Sequence, residues 1–265
     1  MNVFSITSNL WRWRLLVGQL ARREFSSRYA GSALGAAWAV LEPAVQFSLY
    51  FLVFPVFLGM RLEGRPGVAS YGFFLASGLV PFLAFQESVI RSIGLARGSA
   101  GVIRHVNVPL EVMLAGALAA IFARQGVALL ILAVVSLVAG TLAWAQLPYL
   151  CCAIALLLLL TLGVSLILVP AGAFLPDLGQ AITTGMTVLF FLTPIVYPPT
   201  LVPERFRGWL MANPLVGVLD GFRAAFSGES ARLATALVAL AWALGAVLLG
   251  GWLFVRRTRA VRDIV

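Results

Sequence analysis

Five polar residues stand inside or beside long apolar runs: Glu42, Gln46, Glu87, Arg124 and Asp177. An ionisable group in hydrocarbon is costly, so such residues mark functional paths by default. The structural alternative for Glu42, Glu87 and Asp177 is a place near the membrane interface or in a salt bridge between helices. Arg124 favours the functional reading more, because it lies two turns into an apolar run.

The missing chemistry is as informative. The chain has no lysine; all nineteen basic residues are Arg. A phosphate-binding loop of the G-x-x-x-x-G-K-[ST] kind is therefore excluded. No G-x-S-x-G elbow and no H-E-x-x-H helix occurs. His105 is the only histidine, which argues against a His-based metal site. Cys151 and Cys152 are neighbours in an apolar run and read as small hydrophobes. A membrane-embedded transferase would need a converging polar cluster, which the sequence does not offer.

The elements that must position these residues are membrane spans. Apolar residues make up 61% of the 265-residue chain and charged ones 11%, against about 25% charged in a soluble domain. Six runs approach the roughly 20 residues that cross a bilayer: Ala33–Leu58, Val68–Ser88, Glu111–Leu142, Tyr149–Gly172, Gly179–Tyr197 and Leu233–Val255. The third is too long for a simple span, so its first part is expected at the cytoplasmic face or inside the protein. With the N-terminus inside, twelve arginines fall on cytoplasmic segments and six on external ones, Arg124 uncounted. That asymmetry follows the positive-inside rule and puts both termini in the cytoplasm. The Arg-rich start lacks the pattern of a cleavable signal peptide. The net charge of +9 thus sets topology, and nucleic acid is not an expected partner.

Residues 1–32 read as a cytoplasmic arm in the membrane interface, and residues 33–265 as one membrane domain. On a helical arm, Leu10, Trp13, Val17 and Leu20 share one face; Arg12, Gln19, Arg22, Arg23 and Ser26 share the opposite one. Trp and Arg in that arrangement suit an interfacial helix. Gly31 and Gly35 form a G-x-x-x-G, a weak signal for close helix packing. Between the fifth and sixth runs lies TPIVYPPTLVPERFRGWLMANPLVGVLDGFR. Its prolines forbid one continuous helix. Pro203 suits a first helical turn, and Pro214 ends that helix. Residues 196–226 are therefore expected as two short external helices that dip into the bilayer and return. Asp220 and Arg223, at i and i+3 on the second helix, could pair there.

Two stretches resemble the membrane subunits of type-2 ABC exporters of polysaccharides. The first is RREFSSRYAGSALGAAWAVLEP, through Arg23, Arg28, Tyr29, Ser32, Leu34, Gly35, Trp38 and Pro43. The second is the external segment, through Pro194, Tyr197, Pro198, Pro203, Glu204, Phe206, Arg207, Asn213, Pro214, Asp220 and Arg223. Two positions depart from the pattern: Pro176 precedes Asp177 where an Arg is common, and Val108 precedes Pro109 where an aromatic is usual.

The resemblance implies an all-α membrane protein of six transmembrane helices, acting as a homodimer in the cell inner membrane. Two copies of a separate ATPase subunit would bind ATP and Mg; this chain would hold no cofactor and no metal. The implied cargo is a lipid-linked polysaccharide, of the O-antigen type before teichoic acid, capsule, lipid or drug. Cytoplasmic placement nominates Arg22, Arg23, Arg28, Arg97, Arg104 and His105 for contact with the ATPase, within the arm and the segment Ser92–His105. Most aromatics in the spans are expected against lipid. Those that faced a lumen could stack on sugar rings, and the candidates are Tyr50, Phe51, Phe54, Phe82, Phe85 and Phe190, with Arg124. Tyr197, Pro203, Phe206, Trp209, Leu215, Asp220 and Arg223 are the expected external gate.

Overall fold

The arm shows how a single residue redirects a helix. In a computed structural model, which describes residues 3–64, 67–98, 101, 108–142 and 144–264, the arm is α1 (Val3–Arg12) and α2 (Arg14–Arg28). Trp13 between them leaves helical geometry at φ −100° and ψ 17°. That break turns the register. Leu10, Leu16, Val17 and Leu20 pack inward, while Trp13 is 37% exposed. Trp13 therefore does not join the apolar face expected of one straight helix. Gly31 and Gly35 both take positive φ, 81° and 49°. They turn the chain between arm and first span, which glycine does without a Cβ penalty, and they do not pack helices.

The first span runs over Gly35–Phe57. It comprises α3 (Trp38–Phe51) and a π-helical turn at Leu52–Phe57 around Pro55. Next come α4 (Val68–Gly98), α5 (Leu110–Val138) and α6 (Leu147–Phe174). They are followed by α7 (Leu178–Leu192), α8 (Glu204–Ala212), α9 (Pro214–Ser227) and α10 (Leu233–Ile264). Among the described residues, 5 helices are long and apolar enough to span, and α7 is a shorter apolar helix. The fifth expected run is thus helical only to Leu192. Thr193 is extended, and Pro194 follows it. A residue before proline disfavours the helical region, so the helix stops there.

With 31 residues, α4 is about 46 Å long, against a hydrocarbon core of about 30 Å. Residues Ser92–Gly98 thus continue the second span as helix rather than lying across the surface. The first three turns of α5 are largely buried inside the protein, as the length of that run requires. Gly116 lets α2 lie against it, since a Cβ there would stand 2.7 Å from Leu20 Cβ.

Small residues set the other close approaches, as is usual between helices in lipid. A Cβ on Gly163 would meet the Val247 backbone nitrogen at 2.6 Å, and one on Gly250 would meet the Gly163 carbonyl at 2.5 Å. These two glycines let α6 and α10 pack backbone to backbone. Leu237, Trp242, Leu248 and Trp252 remain exposed along α10, as a lipid-facing surface requires. Gly163→Leu should therefore abolish a monodisperse peak on size exclusion in detergent, through overpacking of about 1–3 kcal/mol or more. Gly185→Leu, where a side chain meets nothing within 4 Å, should elute like the parent protein.

Candidate functional site

Two constellations collect the polar side chains. The first joins four helices. Arg28, at the end of α2, donates to Glu42 of α3 at 3.0 Å and to Glu87 of α4 at 2.8 Å. Arg124 of α5 pairs with the other oxygen of Glu87. A turn away, Arg91 of α4 donates to both oxygens of Glu24 of α2, the longer bond being 3.1 Å. Arg124 is 8% exposed, so its charge is matched inside the protein as a buried ion requires. For Glu42 and Glu87 the helix-to-helix salt bridge is the reading that holds. Asp177 sits apart, exposed at the N-cap of α7, where the helix dipole favours a negative charge.

This cluster changes the meaning of one coupling candidate. Arg28 is the hub that ties arm to spans, not a free basic surface. Arg22 and Arg23 are exposed on α2. Arg97 donates to the Ala173 carbonyl at 3.0 Å and so satisfies an end of α6. Arg104 and His105 lie outside the described residues.

The second constellation fastens α8 and α9 to the spans. Helix α9 is buried from Leu215 to Ser227. Asn213 caps it, accepting from the Leu215 backbone N–H at 3.0 Å and donating to Thr193 Oγ1 at 2.9 Å. Arg223 is fully buried. It donates to the carbonyls of Pro194 and Ile195, and its guanidinium carbon stands 3.7 Å from the Phe74 ring centroid. Tyr71 donates to the Val196 carbonyl. Gly78 leaves room for the guanidinium, because a Cβ there would lie 3.2 Å from Arg223 Nη2. Asp220 accepts from Thr235 of α10 at 2.7 Å. Burial pushes its carboxyl above the usual range, against that hydrogen bond and the charges of Arg223 and Arg232. The Asp220–Arg223 pair that the spacing allows is thus replaced by two tertiary contacts, because each side chain reaches a neighbouring element instead. Gly217 and Gly221 give α9 its depth: a Cβ on either would collide with the Thr235 carbonyl or with Ala153.

The two short helices fall where the prolines place them. Pro203 is the N-cap of α8, one residue before the first-turn position expected, and Pro214 opens α9. Their exposure differs sharply. Phe206 is 48% and Trp209 82% exposed, whereas Leu215 is 1% exposed. Leu215 therefore packs inside its own chain and cannot meet a second copy. Tyr197 donates to the Phe191 carbonyl at 2.8 Å.

The aromatic candidates also divide. Phe82, Phe85 and Phe190 are buried within the chain. Phe190 stacks on Tyr50 at 5.5 Å and meets Phe82 edge-on at 5.3 Å. They act as packing that holds α3 and α7 against α4. Tyr50 and Phe51 are partly covered on the inner side of α3, as is Phe54 in the π-helical turn after it. Arg124 is committed to Glu87. Sequence reasoning missed Glu24, Arg91, Thr193, Thr235 and Tyr71, which looked like ordinary surface or span residues; only their partners' positions single them out.

Spans, an ion pair with one buried partner and a proline-broken hairpin define a multi-pass helical membrane protein. Residues 16–227 match the ABC-2 type transporter family, and the chain belongs to that family. It is 27% identical over 246 residues to the O-antigen export system permease protein RfbA of Myxococcus xanthus, covering 92% of each chain. It is 28% identical over 208 residues to the polysialic acid transport protein KpsM of Escherichia coli, covering 78% of this chain and 79% of that one. With the RfbA protein of Klebsiella pneumoniae it shares 26% identity over 216 residues, 78% of each.

Breaking a buried ion pair by removing one partner costs about 3–5 kcal/mol. Arg124→Met should accordingly lower thermal stability in detergent by about 3 kcal/mol. Adding Glu87→Gln should return most of that loss, because no uncompensated charge then remains in the cluster.

Proposed function

We propose that this chain is the membrane subunit of an exporter that moves a lipid-linked polysaccharide of the O-antigen type across the cell inner membrane. The observation that carries this reading is the likeness to an O-antigen export permease along nearly the whole chain. Two copies form the passage, and two copies of a separate subunit bind ATP and Mg and hydrolyse the nucleotide. The absence of lysine supports that division, since a phosphate loop has no place in this sequence. Both termini are cytoplasmic on the arginine count. A capsular polymer is the second reading, favoured by the likeness to a polysialic acid transport protein. Expression in a strain lacking its own O-antigen permease tests the choice. Return of surface O-antigen supports the proposal; return of capsule alone in a capsule-permease mutant favours the second reading.

The ATPase surface is the arm through Arg22 and Arg23, with the end of α4 and the segment after it. Charge reversal at Arg22 and Arg23 should lower the yield of the complex or its stimulated ATP hydrolysis. Unchanged values for both would move the contact elsewhere. The subunit alone in liposomes should hydrolyse no ATP.

The hairpin α8–α9 is the external gate. Broken backbone at membrane depth persists only where protein or water satisfies it, and Arg223, Tyr71 and Asn213 supply the bonds at the break. Phe206 and Trp209 project outward from α8. A cysteine at Trp209 should crosslink two copies or block export once modified. Free labelling with full export would reduce the hairpin to a structural cap.

A further inference from the structure

Three adjoining cavities lie behind α3. The first, about 360 Å³, is apolar and lies between Phe47 and Phe51 of α3, Phe73 and Ala76 of α4, and Ala128 and Leu132 of α5. Val40, Ile131 and Val135, all exposed, stand at its mouth. The second, about 200 Å³, shares Pro43, Leu83 and Gln125 with the first. It is mixed: Arg28, Glu42, Gln46, Gln86, Glu87 and Arg124 line it beside Leu83 and Ile90. The third, about 310 Å³, shares Arg28, Glu87 and Arg124 with the second and extends to Glu24 and Arg91.

Together they have the layout of an amphiphile. The apolar part follows α4 from Ala69 to Leu83, about 21 Å of helix, which exceeds half of a roughly 30 Å hydrocarbon core. Its volume falls within the range of about 300–1,000 Å³ usual for ligand pockets. An apolar cleft open sideways at bilayer depth admits a lipid chain more readily than water. Across the second and third cavities the polar end holds three guanidinium groups and three carboxylates, so its formal charge is zero. A purely anionic headgroup would meet Glu42 and Glu87 as well as the arginines. A headgroup carrying both a phosphate and an ammonium would find a partner for each. Arg28 and Glu42 retain the surface for this, with 43% and 48% of their side chains exposed.

We propose that the cleft behind α3 is a binding site for a bilayer lipid with a phosphoethanolamine headgroup. Its chain lies between α3, α4 and α5, its phosphate at Arg28 and its ammonium at Glu42. The lipid fills the space that the sparse packing of α3 leaves open. The inference rests on the membrane setting of the chain and not on the identity of the exported cargo.

The test uses the full chain in nanodiscs with a phosphatidylethanolamine that carries a photoreactive group in mid-chain. Labelled peptides should come from 72–83 and 125–135. Unlabelled phosphatidylethanolamine should compete about tenfold better than phosphatidylglycerol. Free glycerophosphoethanolamine and inorganic phosphate should not compete. Ala76→Phe should remove the label, and so should Val40→Trp at the exposed mouth, where the core is untouched. Label on the outward face of α10 should persist in both variants and shows that they are folded. Equal competition by phosphatidylglycerol, or label confined to α10, would overturn the proposal. So would competition by the chain-free headgroup. Disulfide formation between copies carrying cysteines at Val40 and Val135 would also overturn it, by showing that a second copy fills the cleft.

Discussion

Backbone polarity in hydrocarbon is the constraint on which the rest of this structure depends. A helix satisfies its own N–H and C=O groups; a break does not, and lipid offers nothing in exchange. The segment from Thr193 to Pro203 is a break in the helices, forced by prolines. Its carbonyls at Pro194, Ile195 and Val196 are taken by Arg223 and Tyr71, and Asn213 bridges Thr193 to the start of α9. The Pro194 and Ile195 carbonyls, reached by Nη2 alone, and the face of Phe74 offset part of the cost of burying the guanidinium, whose Nε and Nη1 have no hydrogen-bond partner among the described residues. Remove that set and α7, α8 and α9 lose their common anchor on α4.

The same rule governs the other end of the bundle. There the problem is charge, and the answer is pairing. Glu87 sits between Arg28 and Arg124 and so links arm, second span and third span through one carboxylate. Arg28 reaches on to Glu42 and draws in the first span. Apart from that contact and its aromatic inner face, α3 is little covered by the rest of the chain: of its residues only Ala39 is buried. The arm that carries Arg28 packs on α5 and reaches α3 through the Arg28–Glu42 bridge, so a push on the arm has a physical route into the spans.

Close packing ties the remaining helices into a stiff block. Gly163, Gly172, Gly217, Gly221 and Gly250 each sit where a side chain would strike a neighbouring helix. Helices α6, α9 and α10 are therefore packed tightly with α4, whereas α3 and α8 are less covered by the rest of the chain. In a transporter that contrast matters, because alternating shapes need both a rigid frame and elements free to move against it.

Spans and the proline-broken hairpin were legible in the sequence, because each follows from local chemistry. Apolar length decides what can enter a bilayer, and proline decides where a helix stops whatever lies around it. The long third run carried its own warning, and its buried start answers it. Tertiary structure alone decided the partners. Asp220 and Arg223 stand at pairing distance along one helix, yet each turns to another element. Arg28 reads as surface charge and serves as a hub; Phe82 and Leu215 read as lining or gate and are covered within the chain. In each case the residue's type and spacing permitted several neighbours. Which neighbour it met depended on helices far away in sequence, which no local pattern records.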